Sequence, residues 1–80
     1  MIKISIQYFA ILREQRGVTR EQLTTAASTP ESLYQELRAK YNFTLPRYRV
    51  RAAVNGEFVT WDTRLQEGDD IVFIPPVAGG

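Results

Sequence analysis

The sequence predicts an α+β domain, a mixed sheet with one main helix packed on one face. Three observations predict it. Ile2, Ile4, Ile6 and Tyr8 alternate with Lys3, Ser5 and Gln7, the period of a strand with one buried face. A helix-start signal at Ser28-Thr29-Pro30-Glu31 is followed by apolar residues at four-residue spacing. Asn55-Gly56 lies between two extended runs, and this pair fits the type I′ turn of a tight hairpin.

The elements run in order along the chain. After the opening strand, Phe9-Ala10-Ile11-Leu12-Arg13-Glu14 loses the two-residue period and reads as a short helical turn closed by Arg16-Gly17. Val18 to Ala27 is a weaker strand with Glu21, Leu23 and Thr25 in step, so it forms a hairpin with the first. In the main helix Ser28 or Thr29 caps free N–H groups, Pro30 suits the first turn and Glu31 complements the dipole. Leu33, Leu37 and Tyr41 make the core stripe, with Tyr34 and Ala39 beside or opposite it. Glu36 and Lys40 are expected to pair on the solvent side, and Asn42 and Pro46 bracket the exit. Residues 50–59 form the Asn-Gly hairpin. Leu65-Gln66-Glu67-Gly68-Asp69-Asp70 turns the chain into a last strand, Ile71 to Ile74. The order is ββαββ.

Strand parity separates two faces. With Asn55 and Gly56 as the turn, Val54 lies opposite Glu57, and Val50, Ala52, Val54, Val59 and Trp61 share the core face. Trp61 is expected to be a core anchor. Arg51, Ala53, Phe58 and Thr60 take the other face, joined by Phe9 if strand geometry persists that far. Ile71 and Phe73 alternate with Val72 and Ile74, and two apolar sets mark a central strand. One helix covers one face, which leaves Phe9, Phe58 and one last-strand set, Val72 and Ile74, as an apolar patch. Either the loop from Thr44 to Arg49 covers it or a partner protein does.

Composition limits the chemistry. Eighty residues suffice for one small domain, and 44% apolar content suffices for its core. The chain has no cysteine and no histidine, which removes a thiol nucleophile, the usual zinc and copper ligands, and the commonest general base near neutrality. No metal site is expected, and Asp69-Asp70 beside Glu67 reads as a solvated turn. A net charge of +1 gives no strong pull toward nucleic acid or membrane. No apolar stretch approaches the roughly 20 residues that span a bilayer, and the opening residues alternate instead of forming a signal peptide. The expected location is the cytoplasm. Arg47, Arg49 and Arg51 alternate around Tyr48 and Val50, which places three charges along one strand face; such a row suits single-stranded nucleic acid or, more simply, a solvated edge.

The ending Pro75-Pro76-Val77-Ala78-Gly79-Gly80 is the most informative segment. Proline lacks an N–H and fixes φ, so the pair ends strand pairing and projects the remaining residues away from the sheet. Two glycines then give a peptide end thin enough for a tunnel that rejects any Cβ. Its one reactive group is the carboxylate of Gly80. Residues 1–76 are expected to form the domain and 77–80 a flexible tail.

Met1-Ile2-Lys3-Ile4, Tyr8-Phe9-Ala10-Ile11-Leu12-Arg13-Glu14, Ala52-Ala53-Val54-Asn55, Leu65-Gln66-Glu67-Gly68-Asp69 and Phe73 to Gly80 carry a resemblance over most of the chain. It resembles the ubiquitin-like β-grasp sulfur carriers, and among them the small, sulfur-carrier subunits of molybdopterin synthase. Gly-Gly alone is shared with thiamine-pathway carriers and ubiquitin-like modifiers, whereas Pro-Pro-Val-x-Gly-Gly is more specific. The resemblance implies a subunit that is no enzyme on its own and binds no cofactor. An ATP-dependent, E1-like activating enzyme would adenylate Gly80, and sulfur would replace the adenylate to leave a thiocarboxylate. Inserted into the large catalytic subunit, in a heterotetramer, it would donate sulfur to the pyranopterin precursor of the molybdenum cofactor. The partner-binding residues on this reading are Phe9, Arg13, Phe58, Val72, Ile74, Pro75, Pro76, Val77, Ala78 and Gly79. The alternatives are a carrier for thiamine or tRNA thiolation, and a noncatalytic β-grasp interaction module, including one that binds RNA through Arg47, Arg49 and Arg51.

Overall fold

A computed structural model of the chain describes residues 1–76; the roles expected of Val77, Ala78, Gly79 and Gly80 lie outside the described residues. The elements are β1 (Ile2–Tyr8), α1 (Ala10–Arg16), β2 (Arg20–Thr25), α2 (Pro30–Tyr41), a 3₁₀ turn at Arg47–Arg49, β3 (Arg51–Val54), β4 (Glu57–Val59) and β5 (Asp70–Ile74). They form one five-stranded mixed sheet in the order β2-β1-β5-β3-β4. β1 and β5 run parallel, from Ser5↔Asp70 to Tyr8↔Phe73, and every other pairing is antiparallel. The last strand is therefore central, as its two apolar sets predict.

Alternation places the core where the sequence puts it. Ile4, Ile6 and Tyr8 of β1 and Ile71 and Phe73 of β5 meet Leu33, Tyr34 and Leu37 of α2, with Val50, Ala52 and Leu65 alongside. Leu12 of α1 and Phe43, just past α2, close one end. Trp61 anchors the core: its ring stacks on Phe73 at 6.0 Å and 9°, and Tyr34 meets Phe73 edge-on at 5.2 Å. α2 starts on a full capping box, in which Thr29 Oγ1 accepts from the Ser32 N–H at 3.1 Å and Ser32 Oγ accepts from the Thr29 N–H at 3.2 Å. Asn42, at φ 58°, closes the helix in the left-handed region.

Two expectations fail. Glu36 and Lys40 do not pair: Glu36 accepts the Thr25 hydroxyl at 3.0 Å, and the Lys40 ammonium sits 5.4 Å from the Tyr41 ring centroid. Thr25 is a buried polar residue, and satisfying its hydroxyl outweighs a weak exposed ion pair. The three arginines also do not share a strand face. Donation from Arg49 N–H to Pro46 O and from Val50 N–H to Arg47 O winds Arg47–Arg49 into a 3₁₀ turn and delivers Val50 to the core. Arg47 returns to Glu31 at 3.4 Å and to the Trp61 ring at 5.7 Å, leaving Arg51 alone on the strand.

Candidate functional site

The sheet face opposite α2 is half apolar and half polar. Ala53 is opposite Phe58 on β4 and Val72 on β5, and Arg51 is opposite Ile74, so these side chains form one continuous field. Phe58 is 62% exposed, Val72 and Ile74 are half-buried, and the Arg51 guanidinium lies 4.7 Å from the Phe58 ring centroid. Toward β2 the face becomes polar: Arg20 pairs with Asp70 at 3.2 Å and also reaches Gln7. The apolar half lies at the C-terminal end of β5.

Phe9 extends this half. Its backbone is extended at φ −127° and ψ 151°, so strand parity does persist through it and turns it away from the core side taken by Tyr8. Phe9 and Ile11 are both more than a third exposed. Ile11 escapes the sequence reading because Ile11-Leu12 are adjacent on a short helix, where only one of them faces the core. Here Leu12 does. Arg13 is exposed on the same helix, and Pro76 is exposed at the root of the tail. Pro75 is buried in the free chain, whereas Pro76 is exposed.

The loop after α2 does not cover the patch. Phe43 enters the core, and the Leu45 carbonyl accepts the Tyr34 hydroxyl at 2.7 Å, which ties the loop to the helix side. Gln15 and Thr44 exchange two hydrogen bonds that clamp α1 to this loop.

A polar cluster supports the α1 end. Arg16 donates from Nε and Nη2 to the two Glu21 carboxylate oxygens at 2.9 and 2.7 Å, and its guanidinium lies 4.2 Å from the Tyr41 ring centroid. The Tyr8 hydroxyl donates to Glu21 Oε2 at 2.5 Å. Donation from Arg16 holds the Glu21 carboxyl below its ordinary value against the opposing effect of burial, with Tyr8 adding to it. Burial first, then the Glu21 carboxylate, pushes the Tyr8 phenol up. Both groups are thus locked in one protonation state near neutrality and serve as a brace.

At the other end Asp69 accepts from Asn55 Nδ2 and from the Gln66 N–H, at 3.0 and 2.8 Å, which fixes the turn leading into β5. No group of three or more acidic, His or Cys side chains able to hold a metal occurs among the described residues, and no pocket opens among them. No helix there is long and apolar enough to cross a membrane. What these residues offer is an exposed apolar face at the C-terminal end of β5.

Comparison with known proteins identifies the architecture as the ubiquitin-like β-grasp. The chain is 38% identical over 87 residues to the molybdopterin synthase sulfur carrier subunit of Mycobacterium tuberculosis (strain ATCC 25618 / H37Rv), across all of both chains. It is 34% identical over 80 residues to the subunit of the same name from Escherichia coli (strain K12), spanning 96% of this chain and 99% of that one. A chain of the complex of subunits 1 and 2 of the molybdopterin-converting factor from Helicobacter pylori 26695 superposes with a TM-score of 0.70 at 22% identity, covering 99% of this chain and 100% of that one, and shares the fold. The ThiS family model matches residues 6–80, and with relatives aligned along the whole chain, the protein belongs to the ThiS family.

Proposed function

We propose that the chain is the sulfur-carrier subunit of molybdopterin synthase and that the Gly80 carboxylate carries the sulfur. The observation that carries this reading is the full-length similarity to sulfur carrier subunits in a chain that ends Pro-Pro-Val-Ala-Gly-Gly. The uncovered apolar face at the root of that ending supports it.

The chemistry requires little of the chain's own side chains. A carboxylate is a poor electrophile. Attack of the Gly80 carboxylate on the α-phosphorus of ATP in an E1-like enzyme releases pyrophosphate and gives an acyl adenylate. A sulfide equivalent then forms the C–S bond as AMP leaves with the C–O electron pair. The resulting thiocarboxylate is ionised at neutral pH, so it attacks a carbon of the pyranopterin precursor without a general base, forming a C–S bond as a C–O bond at that carbon breaks and its oxygen leaves as water or on the phosphate. Hydrolysis of the acyl–sulfur bond leaves the sulfur on the product and restores the carboxylate. Docking of the sheet face on the large subunit brings sulfur and carbon within about 3–3.5 Å, the proximity contribution to catalysis. Cationic groups for the precursor's phosphate come from the large subunit. The need for ATP places these steps in the cytoplasm.

Intact-mass measurement after incubation with a cognate activating enzyme, ATP and sulfide tests the reading. An oxygen-to-sulfur mass increase at the C-terminus is expected, followed by precursor conversion once the large subunit is added. No increase would overturn the carrier chemistry; an increase without conversion would assign the carrier to thiamine or tRNA thiolation.

A further inference from the structure

We infer that Arg51 selects the partner on the docking face: the large subunit that covers Phe58 and Ile74 presents a carboxylate to the Arg51 guanidinium. This rests on the function proposed above and concerns the partner's chemistry. Among the described residues of the sheet strands, Arg51 is the cation in the apolar half of the face, opposite Ile74 on β5 and 4.7 Å from the Phe58 ring centroid. The ion pairs among the described residues are Arg16–Glu21, Arg20–Asp70 and Arg47–Glu31, so Arg51 takes part in none of them. Asp70, the carboxylate of the same face on β5, is four residues from Ile74, about 13 Å at strand rise, and is already engaged by Arg20.

In the free chain water solvates the Arg51 donors. Docking removes that water, and a guanidinium left unpaired in an apolar contact costs far more than the surrounding apolar burial returns. The guanidinium lies 4.7 Å from the Phe58 ring centroid and makes no side-chain hydrogen bond among the described residues, so its donors are free for a carboxylate, which a guanidinium can bind through two parallel hydrogen bonds. A partner with a matching Asp or Glu therefore gains where a purely apolar one is rejected. A second copy of this chain does not suit, because among the described residues its corresponding face supplies only the Asp70 already paired with Arg20. Nor does a nucleic acid, whose phosphates would meet Val72, Ile74 and Phe58 at near-neutral net charge.

The test is titration calorimetry of the full chain against the cognate large subunit at low and high salt, with circular dichroism confirming the fold of each variant. Arg51→Leu is expected to raise Kd about thirtyfold or more and to flatten its salt dependence. Arg51→Lys should fall between wild type and Leu, and Arg51→Glu should be weaker than both. The sign of the Leu result decides: with no carboxylate opposite, removing a cation from an apolar face tightens binding. Unchanged or tighter binding by Arg51→Leu would therefore overturn the inference, as would loss of a self-association of the chain with large-subunit affinity unaltered. Failure of the wild type to bind the large subunit would instead sink the proposed function, and this inference with it.

Discussion

Glu21 accepts three hydrogen bonds from two other elements, and this makes the α1 end of the sheet sensitive to pH. Its carboxyl is held below its ordinary 4.5 by the Arg16 donors first, so the unfolded chain binds a proton more readily than the folded one. The stabilisation is complete above that value and is lost as pH falls through the carboxylate range. Tyr8 behaves oppositely. Its phenol is pushed above the ordinary 10.0, so its contribution is complete below pH 10 and is lost as pH rises further. Urea denaturation across pH should show a plateau between these limits. Glu21→Gln should lower the plateau by about 1.5–3 kcal/mol, the range for hydrogen bonds to a charged group, and flatten the acid side. An acid side identical to the wild type would show that some other carboxylate governs it. Only part of this cluster is legible in the sequence. Alternation marks Tyr8 as core, but its hydroxyl finds Glu21 thirteen residues away, across a strand pair whose register depends on the intervening helix. The contact is non-local, and no local pattern encodes it.

Elements were readable wherever local chemistry and burial agree. Asn55 and Gly56 take φ values of 53° and 87°, the positive pair that a type I′ turn demands, and Val54 falls opposite Glu57 as expected. The segment from Arg47 to Arg51 misled because its alternating charges mimic strand periodicity, while Pro46 and the burial of Val50 favour a tight turn. The α1 segment shows the reverse: its helical pattern is plain, but the strain at its start is not. Ala10 sits at φ 51°, since the chain must turn sharply from extended Phe9 into a helix that buries Leu12. A left-handed conformation costs a non-glycine residue about 1–2 kcal/mol, whereas glycine loses about 0.4–1 kcal/mol through the freedom of the unfolded chain. Ala10→Gly should therefore raise stability by about 0.5–1 kcal/mol, read as a higher denaturation midpoint at unchanged slope. A lower midpoint would mean that the Ala10 methyl makes a contact worth more than the strain.

At the scale of the molecule, the described core and the exposed apolar face are separate sets of residues on opposite sides of one sheet. The described apolar core cluster ends at Phe73, while Phe58 and Ile74 lie on the open face. Phe58→Glu or Ile74→Glu should therefore leave the circular dichroism spectrum native and weaken the large-subunit complex; each forfeits about 1.5–3 kcal/mol of apolar burial and adds a charge to be desolvated. An unfolded spectrum would transfer those residues to the core. The chain end obeys a different requirement. On the proposed function, the activating enzyme would hold the terminal carboxylate at ATP and the synthase the same carbon at the precursor, so the distance from the sheet face to that atom would be fixed twice. One residue of extended chain changes it by about 3.3–3.6 Å, as much as the whole approach distance of reacting atoms. Deleting Gly80, adding one residue after it, or widening the end by Gly79→Val should each abolish sulfur transfer. The described core is built without residues 79 and 80, so Tm is expected not to move, and large-subunit affinity to fall far less than activity does. Single-turnover transfer measured beside calorimetric Kd separates the two effects. A verifiably uncleaved chain extended past Gly80 that still transfers sulfur at the wild-type rate would remove the terminal carboxylate from the mechanism and leave the sheet face as an interaction surface alone.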